Sequence, residues 1–220
     1  MNDRKRAVRY GISFVILAVL LIFLFIWNVN SGSIHLSVQE ILNIIFRHQG
    51  DEISYNIVWE IRLPRILSVI ILGGALSVSG FLLQTFFNNP IAGPFVLGIS
   101  SGAKLIVAFL MIFLLSRSVS IGSGAMILAA FAGSMISMGF VLLVAKKVHN
   151  MSMLVISGVM IGYICSAITD FVVTFADDSN IVNLHNWSLG SFSGMTWGNV
   201  RTMAVVVFLT MVIVFFMSKP

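Results

Sequence analysis

Charge is what this sequence most lacks. Only 10% of its 220 residues are Asp, Glu, Lys or Arg, against about 25% in an ordinary soluble domain, while 58% are hydrophobic. That balance excludes a soluble globular domain, because one core of this length cannot cover so much apolar surface. A bilayer solvates such side chains directly. Cysteine is nearly absent too. The lone Cys165 excludes an internal disulfide, and its apolar surroundings suit a small core residue. His35, His48, His149 and His185 stand far apart with no second His or Cys at ligand spacing, so no metal and no other cofactor is expected. No Gly-x-x-x-x-Gly-Lys-Ser/Thr phosphate loop occurs anywhere, so any ATP hydrolysis must take place on another chain.

What the sequence has is apolar runs. Each helical span needs about 20 mostly apolar residues, and six runs approach that length, at 11–27, 66–87, 101–115, 121–145, 151–175 and 202–217. The first follows Arg4, Lys5, Arg6 and Arg9, as a signal peptide would, but it is longer than a signal's apolar core and ends in Asn28-Val29-Asn30. It reads as a retained span. The third run is the shortest and contains Lys104, which suits a cation snorkelling near a helix end. Between the first two spans, Ser37-Val38-Gln39-Glu40 has the form of a capping box. Ile34, Val38, Ile41, Leu42 and Ile45 then share one face of a short helix expected on the membrane surface. The fold class expected is all-α, a polytopic membrane helical bundle forming a single transmembrane domain over 1–220.

Charge sets a direction for these spans. With a cytoplasmic N-terminus, Arg4, Lys5, Arg6, Arg9, Lys104, Lys146, Lys147 and Lys219 fall inside, while Arg47, Arg62, Arg65, Arg117 and Arg201 fall outside. Basic residues favour cytoplasmic segments, so eight against five has the expected sign. Small residues recur four apart at Ala129/Gly133/Ser137, Gly158/Gly162 and Gly98/Gly102. Such pairs let helix backbones approach closely, and tight packing is their expected use.

Two stretches carry more than spanning. Arg62 and Arg65 flank Pro64, which suits the first turn of a helix starting there. Their outer position suits headgroup anchoring or the docking of an acidic partner. Further on, Pro90, Gly93, Pro94 and Gly98 forbid a continuous helix between the second and third spans. Irregular backbone at membrane depth survives only inside protein or along a water-filled path, and Asn88, Asn89, Ser100 and Ser101 are suited to satisfy it. The second stretch, 183–197, is too polar to span and too aromatic for a plain loop. A short outer helix is expected there, with Trp187 and Trp197 in the outer aromatic belt. Its Asn186-Trp187-Ser188 sequon recurs at Asn150-Met151-Ser152 on the inner side, so glycosylation carries little weight.

Arg62-Leu63-Pro64-Arg65, Gly73-Gly74-Ala75-Leu76, Ser79-Gly80, Gln84, Asn89-Pro90-Ile91-Ala92, Pro94 and the run Leu97-Gly98-Ile99-Ser100-Ser101-Gly102-Ala103, in that order, closely resemble the FecCD-type permeases of iron–siderophore, haem and cobalamin ABC importers. Trp187-Ser188-Leu189-Gly190-Ser191 resembles the family's second signature. Gly93 departs from it, standing where an acid is frequent. The resemblance implies ten spans per subunit, of which about six are here, so the chain is expected to be an N-terminal piece of a longer permease domain. It further implies a multi-pass protein of the bacterial cytoplasmic membrane, importing an iron(III)-siderophore or related metal chelate. Implied partners are a second permease subunit, two cytoplasmic ATP-binding subunits and an extracytoplasmic substrate-binding protein, with no nucleic acid.

Carried onto this sequence, the resemblance makes Arg62 and Arg65 the docking arginines for the binding protein. Asn89 and Ile91 become half of a cytoplasmic gate, and Asn150, Met151 and Ser152 the other half. Asn186, Trp187, Ser188 and Ser191 line the translocation path with the fifth span. Asp170, an ionisable group within that span, is a candidate for the same path or for pairing with a neighbouring helix. No catalytic residue is expected, because an importer moves its substrate unchanged. Haem or cobalamin is the alternative cargo. An ion-coupled secondary transporter requires internal repeats and midplane charges, and neither stands out. An intramembrane enzyme requires a catalytic pair that Asp170 alone cannot supply.

Overall fold

A computed structural model describes residues 3–32, 34, 36–115, 123–147 and 151–217. Every regular element among them is helical: α1 (Asp3–Asn30), α2 (Val38–Arg47), α3 (Glu52–Asn56), a π-helical segment (Ile57–Arg62), α4 (Leu63–Phe86), α5 (Ile99–Leu115), α6 (Ser123–Ala145), α7 (Met151–Val173), α8 (Asp178–Leu189) and α9 (Trp197–Met217). Among the described residues, five stretches are long and apolar enough to cross a membrane: α1, the continuous helix Glu52–Phe86, α6, α7 and α9. The third expected span, α5, is a shorter apolar helix of 17 residues. The all-α membrane architecture stands as expected. The chain divides into two compact units, residues 1–75 with 192–220, and residues 76–191.

The second unit is built on glycine. Gly102 of α5 lies so close to Gly133 of α6 that a Cβ on Gly102 would meet the Ser137 Cβ at 2.7 Å. Gly98 has φ +72°, and a Cβ there would lie 2.7 Å from the Gly158 carbonyl oxygen and 2.8 Å from the Gly162 nitrogen of α7. The Ser137 hydroxyl donates to the Gly98 carbonyl at 2.9 Å. The small residues spaced four apart are therefore where α5, α6 and α7 meet, as tight packing requires when lipid gives helices no hydrophobic reason to associate.

The first unit is built on caps and rings. Ser37 and Glu40 form the capping box, the Glu40 amide donating to Ser37 Oγ at 3.2 Å and the Ser37 amide to Glu40 Oε2 at 2.7 Å. The α2 stripe differs from expectation. Leu36, Ile41 and Ile44 are buried with Val29, Val58, Leu63 and Ile66, whereas Ile34 and Leu42 are exposed. The three-to-four spacing from Ile41 to Ile44 and Ile45 sets the inward face, and that face meets protein. Asp51 caps α3 by accepting from the Ser54 amide at 3.1 Å, and its hydrogen bonds with Ser54 hold its carboxyl below the usual range.

One expectation is corrected. Pro64 does not open a helix, because Glu52–Phe86 runs straight through it. In an α-helix the ring would clash with the carbonyl four residues back. Here the preceding Ile57–Arg62 turns are π-wound, with the Leu63 amide reaching back to the Val58 carbonyl. On that spacing the missing Pro64 N–H falls opposite the Trp59 carbonyl. Trp197 Nε1 donates to that carbonyl instead, at 2.9 Å, and the two indoles lie 5.4 Å apart.

The glycine contacts generate the first prediction. Gly133→Ala should lower the unfolding free energy in detergent by about 1–3 kcal/mol, the usual cost of overpacking. Gly139→Ala on the same helix, where a Cβ meets nothing within 4 Å, should be neutral or slightly stabilising. Thermal melts of both variants check the contrast.

Candidate functional site

The irregular stretch after α4 is a closed structure. Asn88 takes a left-handed conformation at φ +45°, the Asn88 amide bonds the Thr85 carbonyl at 3.2 Å and the Asn89 amide bonds the Gln84 carbonyl at 3.0 Å. This paired pattern ends a helix by satisfying its last carbonyls, and Asn tolerates the left-handed position better than most residues. Asn89 then turns the chain, its Oδ1 accepting from the Ile91 amide at 2.9 Å and its carbonyl from the Ala92 amide at 3.1 Å. Phe87, Ala92 and Leu97 are fully buried with Val141, Leu154 and Val155, so the loop is anchored on the end of α6 and the first turns of α7. Ile91 and Phe95 point outward, 69% and 74% exposed.

The expected gate halves are thus partly brought together. Asn89 and Ile91 sit on a loop packed against Leu154 and Val155, and Ser152 is exposed one turn earlier on α7. Met151 opens that helix, and Asn150 lies outside the described residues. At the other end of the same unit, α8 carries Asn186, Trp187 and Ser188 on the short helix that was expected there. Trp187 turns inward onto a cluster of Val107, Ala108, Met111 and Leu184. Asn186, Ser188 and Ser191 are exposed, and Ser188 Oγ donates to the His185 carbonyl at 2.8 Å. Asp170 is exposed on α7, two residues before Val172, which joins the same cluster.

In the first unit the two arginines separate. Arg62 is half-buried and spends its guanidinium on the loop after α1, donating from Nη1 to the Val29 carbonyl at 2.5 Å and from Nη2 to the Ile34 carbonyl at 2.9 Å. Gly32 passes so close that a Cβ there would lie 3.0 Å from Arg62 Cζ. Arg65, three residues on, is exposed and has no hydrogen-bonding or ionic partner among the described residues. From sequence alone the two arginines look alike. The signal that distinguishes them is Gly32, in a Ser-Gly-Ser loop whose freed carbonyls need a donor.

The model of the FecCD transport family matches residues 20–220. The vitamin B12 import system permease protein BtuC of Escherichia coli strain K12 is 37% identical over 140 residues, 64% of this chain and 42% of that protein. BtuC of Shigella boydii serotype 18 matches to the same extent. A solved metal-chelate type ABC transporter in an inward-facing conformation superimposes with a TM-score of 0.74 at 23% identity, over 92% of this chain and 60% of that one. The chain therefore spans less than two thirds of the length of these relatives, and the structural likeness is one of fold.

Arg62→Ala should strand the Val29 and Ile34 carbonyls. Bonds to a charged group contribute about 1.5–3 kcal/mol, so amide exchange across residues 29–37 should accelerate correspondingly. Arg65→Ala should leave the same amides within about 0.5 kcal/mol of wild type. Hydrogen exchange read by mass spectrometry separates the two roles.

Proposed function

We propose that this chain, which belongs to the FecCD transport family, is the membrane-spanning permease subunit of an ATP-binding-cassette importer for a metal chelate, an iron(III)-siderophore in the first instance. The observation that carries the reading is the segment from Arg62 to Ala103. It combines an exposed arginine in the first turn of α4 with an irregular loop after the last turn of α4, whose backbone is satisfied by its own Asn residues. Cobalamin is the second reading, favoured by the 37% identity to vitamin B12 permeases.

In this reading the N-terminus is cytoplasmic in a bacterial cell membrane. Lys146 and Lys147 then lie on the loop side of the second unit, and Asp177 and Asp178 on the outer side at the start of α8, in keeping with the bias of cytoplasmic segments toward basic residues. An extracytoplasmic binding protein docks acidic side chains near Arg65, with Arg62 fixing the loop beside it. Two cytoplasmic ATP-binding subunits drive the cycle, since this sequence holds no phosphate loop. A second permease copy or homologue completes the path, which passes Asp170 and the α8 residues Asn186, Trp187 and Ser188, then Ser191. It closes on the cytoplasmic side at Asn89 and Ile91 facing Asn150, Met151 and Ser152. Alternating access moves the chelate without chemical change, so the subunit itself is not an enzyme.

Uptake by the full-length subunit with its partners tests the reading, with labelled ferric siderophore, haem and cobalamin compared side by side. One of the three should be carried and should stimulate ATP hydrolysis. If none does either, the substrate class is wrong. Arg65→Glu should weaken binding-protein affinity by at least tenfold at low salt, because close interfacial charge pairs couple by about 1.5–7 kcal/mol. Unchanged affinity in titrations of the binding protein would remove Arg65 from the docking face.

A further inference from the structure

Ser68, Ser134, Thr169 and Thr202 each donate a hydroxyl to the carbonyl four residues earlier on their own helix. That is the local choice open to any Ser or Thr within a helix. Ser137 departs from it. Its hydroxyl leaves α6 and donates to the Gly98 carbonyl, 39 residues away in the chain, at 2.9 Å. Ser137 is only 2% exposed, so the bond is made in the interior, where hydrogen bonds are electrostatically stronger than in water.

Both partners have a second choice. The Gly98 carbonyl also accepts from the Gly102 amide at 3.0 Å, the bond that opens α5. Ser137 has the Gly133 carbonyl four residues back, just as Ser134 has that of Ala130 at 2.9 Å. Breaking a buried hydrogen bond ordinarily strands a desolvated donor or acceptor. Here a rotation of the Ser137 side chain exchanges one acceptor for another and strands neither group. What the bond holds is the junction between the Asn-Pro loop and α5. Gly98 has φ +72°, a region glycine enters about as readily as negative φ, so contacts rather than its own backbone select the conformation. From α7 the Gly158 carbonyl would lie 2.7 Å from a Cβ on Gly98, and from α6 Ser137 holds the carbonyl. Upstream, the Leu97 amide bonds the Gly93 carbonyl at 3.0 Å and the Gly98 amide that of Phe95 at 3.3 Å. The turn from Gly93 to Gly98 is therefore one closed piece, joined through Ala92 to Asn89.

We propose that Ser137 is a positioning residue for the loop that carries Asn89 and Ile91. With its hydroxyl on Gly98 the loop is held to α6; with the hydroxyl turned to Gly133 the loop is released. The inference rests on the transport reading for one point, that this loop is the cytoplasmic gate. The latch itself does not, because Gly98, Gly102, Gly133 and Ser137 are all buried within the second unit.

The test compares Ser137→Ala with Ser134→Ala in the full-length subunit, assembled with its partners in proteoliposomes. Hydrogen exchange read by mass spectrometry should accelerate about fivefold at residues 93–99 in Ser137→Ala, the factor that one hydrogen bond of ordinary strength represents. Amides of α7 should keep their unmodified rates, and Ser134→Ala, one turn away on the same helix, should leave 93–99 unchanged. Vesicles loaded with the chelate that the unmodified importer carries should lose it about fivefold faster without ATP in Ser137→Ala. A packing defect alone speeds exchange throughout α6 and α7 and opens no path. Unmodified exchange at 93–99 in Ser137→Ala, or equal acceleration in Ser134→Ala, overturns the latch. Faster loop exchange with an unchanged leak overturns its link to the gate. An unmodified importer that carries no chelate sinks the transport reading instead, and the exchange comparison then decides the latch by itself.

Discussion

Close backbone contact at a few glycines is the constraint from which the second unit follows. Gly98, Gly102, Gly133, Gly158 and Gly162 bring α5, α6 and α7 together without intervening side chains. Dispersion falls steeply with separation, so helices that associate in lipid gain most from this kind of approach. The contact also reaches beyond the helices. Gly98 is the last residue of the Asn-Pro loop before α5, and its carbonyl accepts from Ser137 on α6. Fixing Gly98 between α6 and α7 fixes where the loop ends, and Leu97 beside it packs onto Gly158. The loop's position is thus a consequence of helix packing.

The first unit meets a different demand, the satisfaction of backbone groups where a helix is irregular. An unpaired backbone group in hydrocarbon costs several kcal/mol. The π-wound turns before Pro64 free the Trp59 carbonyl, and Trp197, nearly 140 residues later, supplies a donor. The end of α1 frees carbonyls at Val29 and Ile34, and Arg62 supplies two more donors. In both places a long-range side chain replaces a missing N–H. The consequence is that α1, the Glu52–Phe86 helix and α9 are tied together by polar bonds as well as by the apolar cluster around Val29, Val58 and Leu63.

Most of this fold was legible in the sequence because its strongest signals are local. Long apolar runs, the Ser37/Glu40 box and the small residues spaced four apart each translate directly into a helix, a cap or a contact. The end of α4 was legible as a break, from Pro90 and Pro94, although its closing motif at Asn88 was not, since several residues there tolerate a left-handed conformation. What escaped was non-local. Pro64 resembled a helix start because its usual place is a first turn, and nothing local announces that π winding upstream would accommodate it. Arg62 and Arg65 looked equivalent for the same reason. Which of two nearby arginines turns inward depends on the loop it meets, here one opened by Gly32. Of the candidate site residues, those on α8 and the Asn89 turn followed from pattern, and their exposure did not.

The separation of the two arginines has a mechanical meaning. A docking surface transmits force only if the charged group it presents is held by something stiff. Arg65 projects from a helix whose preceding turns are bonded to α9 through Trp197 and to the loop after α1 through Arg62. Any load on Arg65 therefore falls on a helix already coupled to α9 and to the loop after α1. That same helix continues to Phe86, where the Asn88–Asn89 turn begins. From Arg65 to Phe86 that helix rises about 32 Å at 1.5 Å per residue. A break at Pro64 would separate Arg65 from the turns that Trp59 and Arg62 tie down, and the π-wound turns are what keep the helix whole.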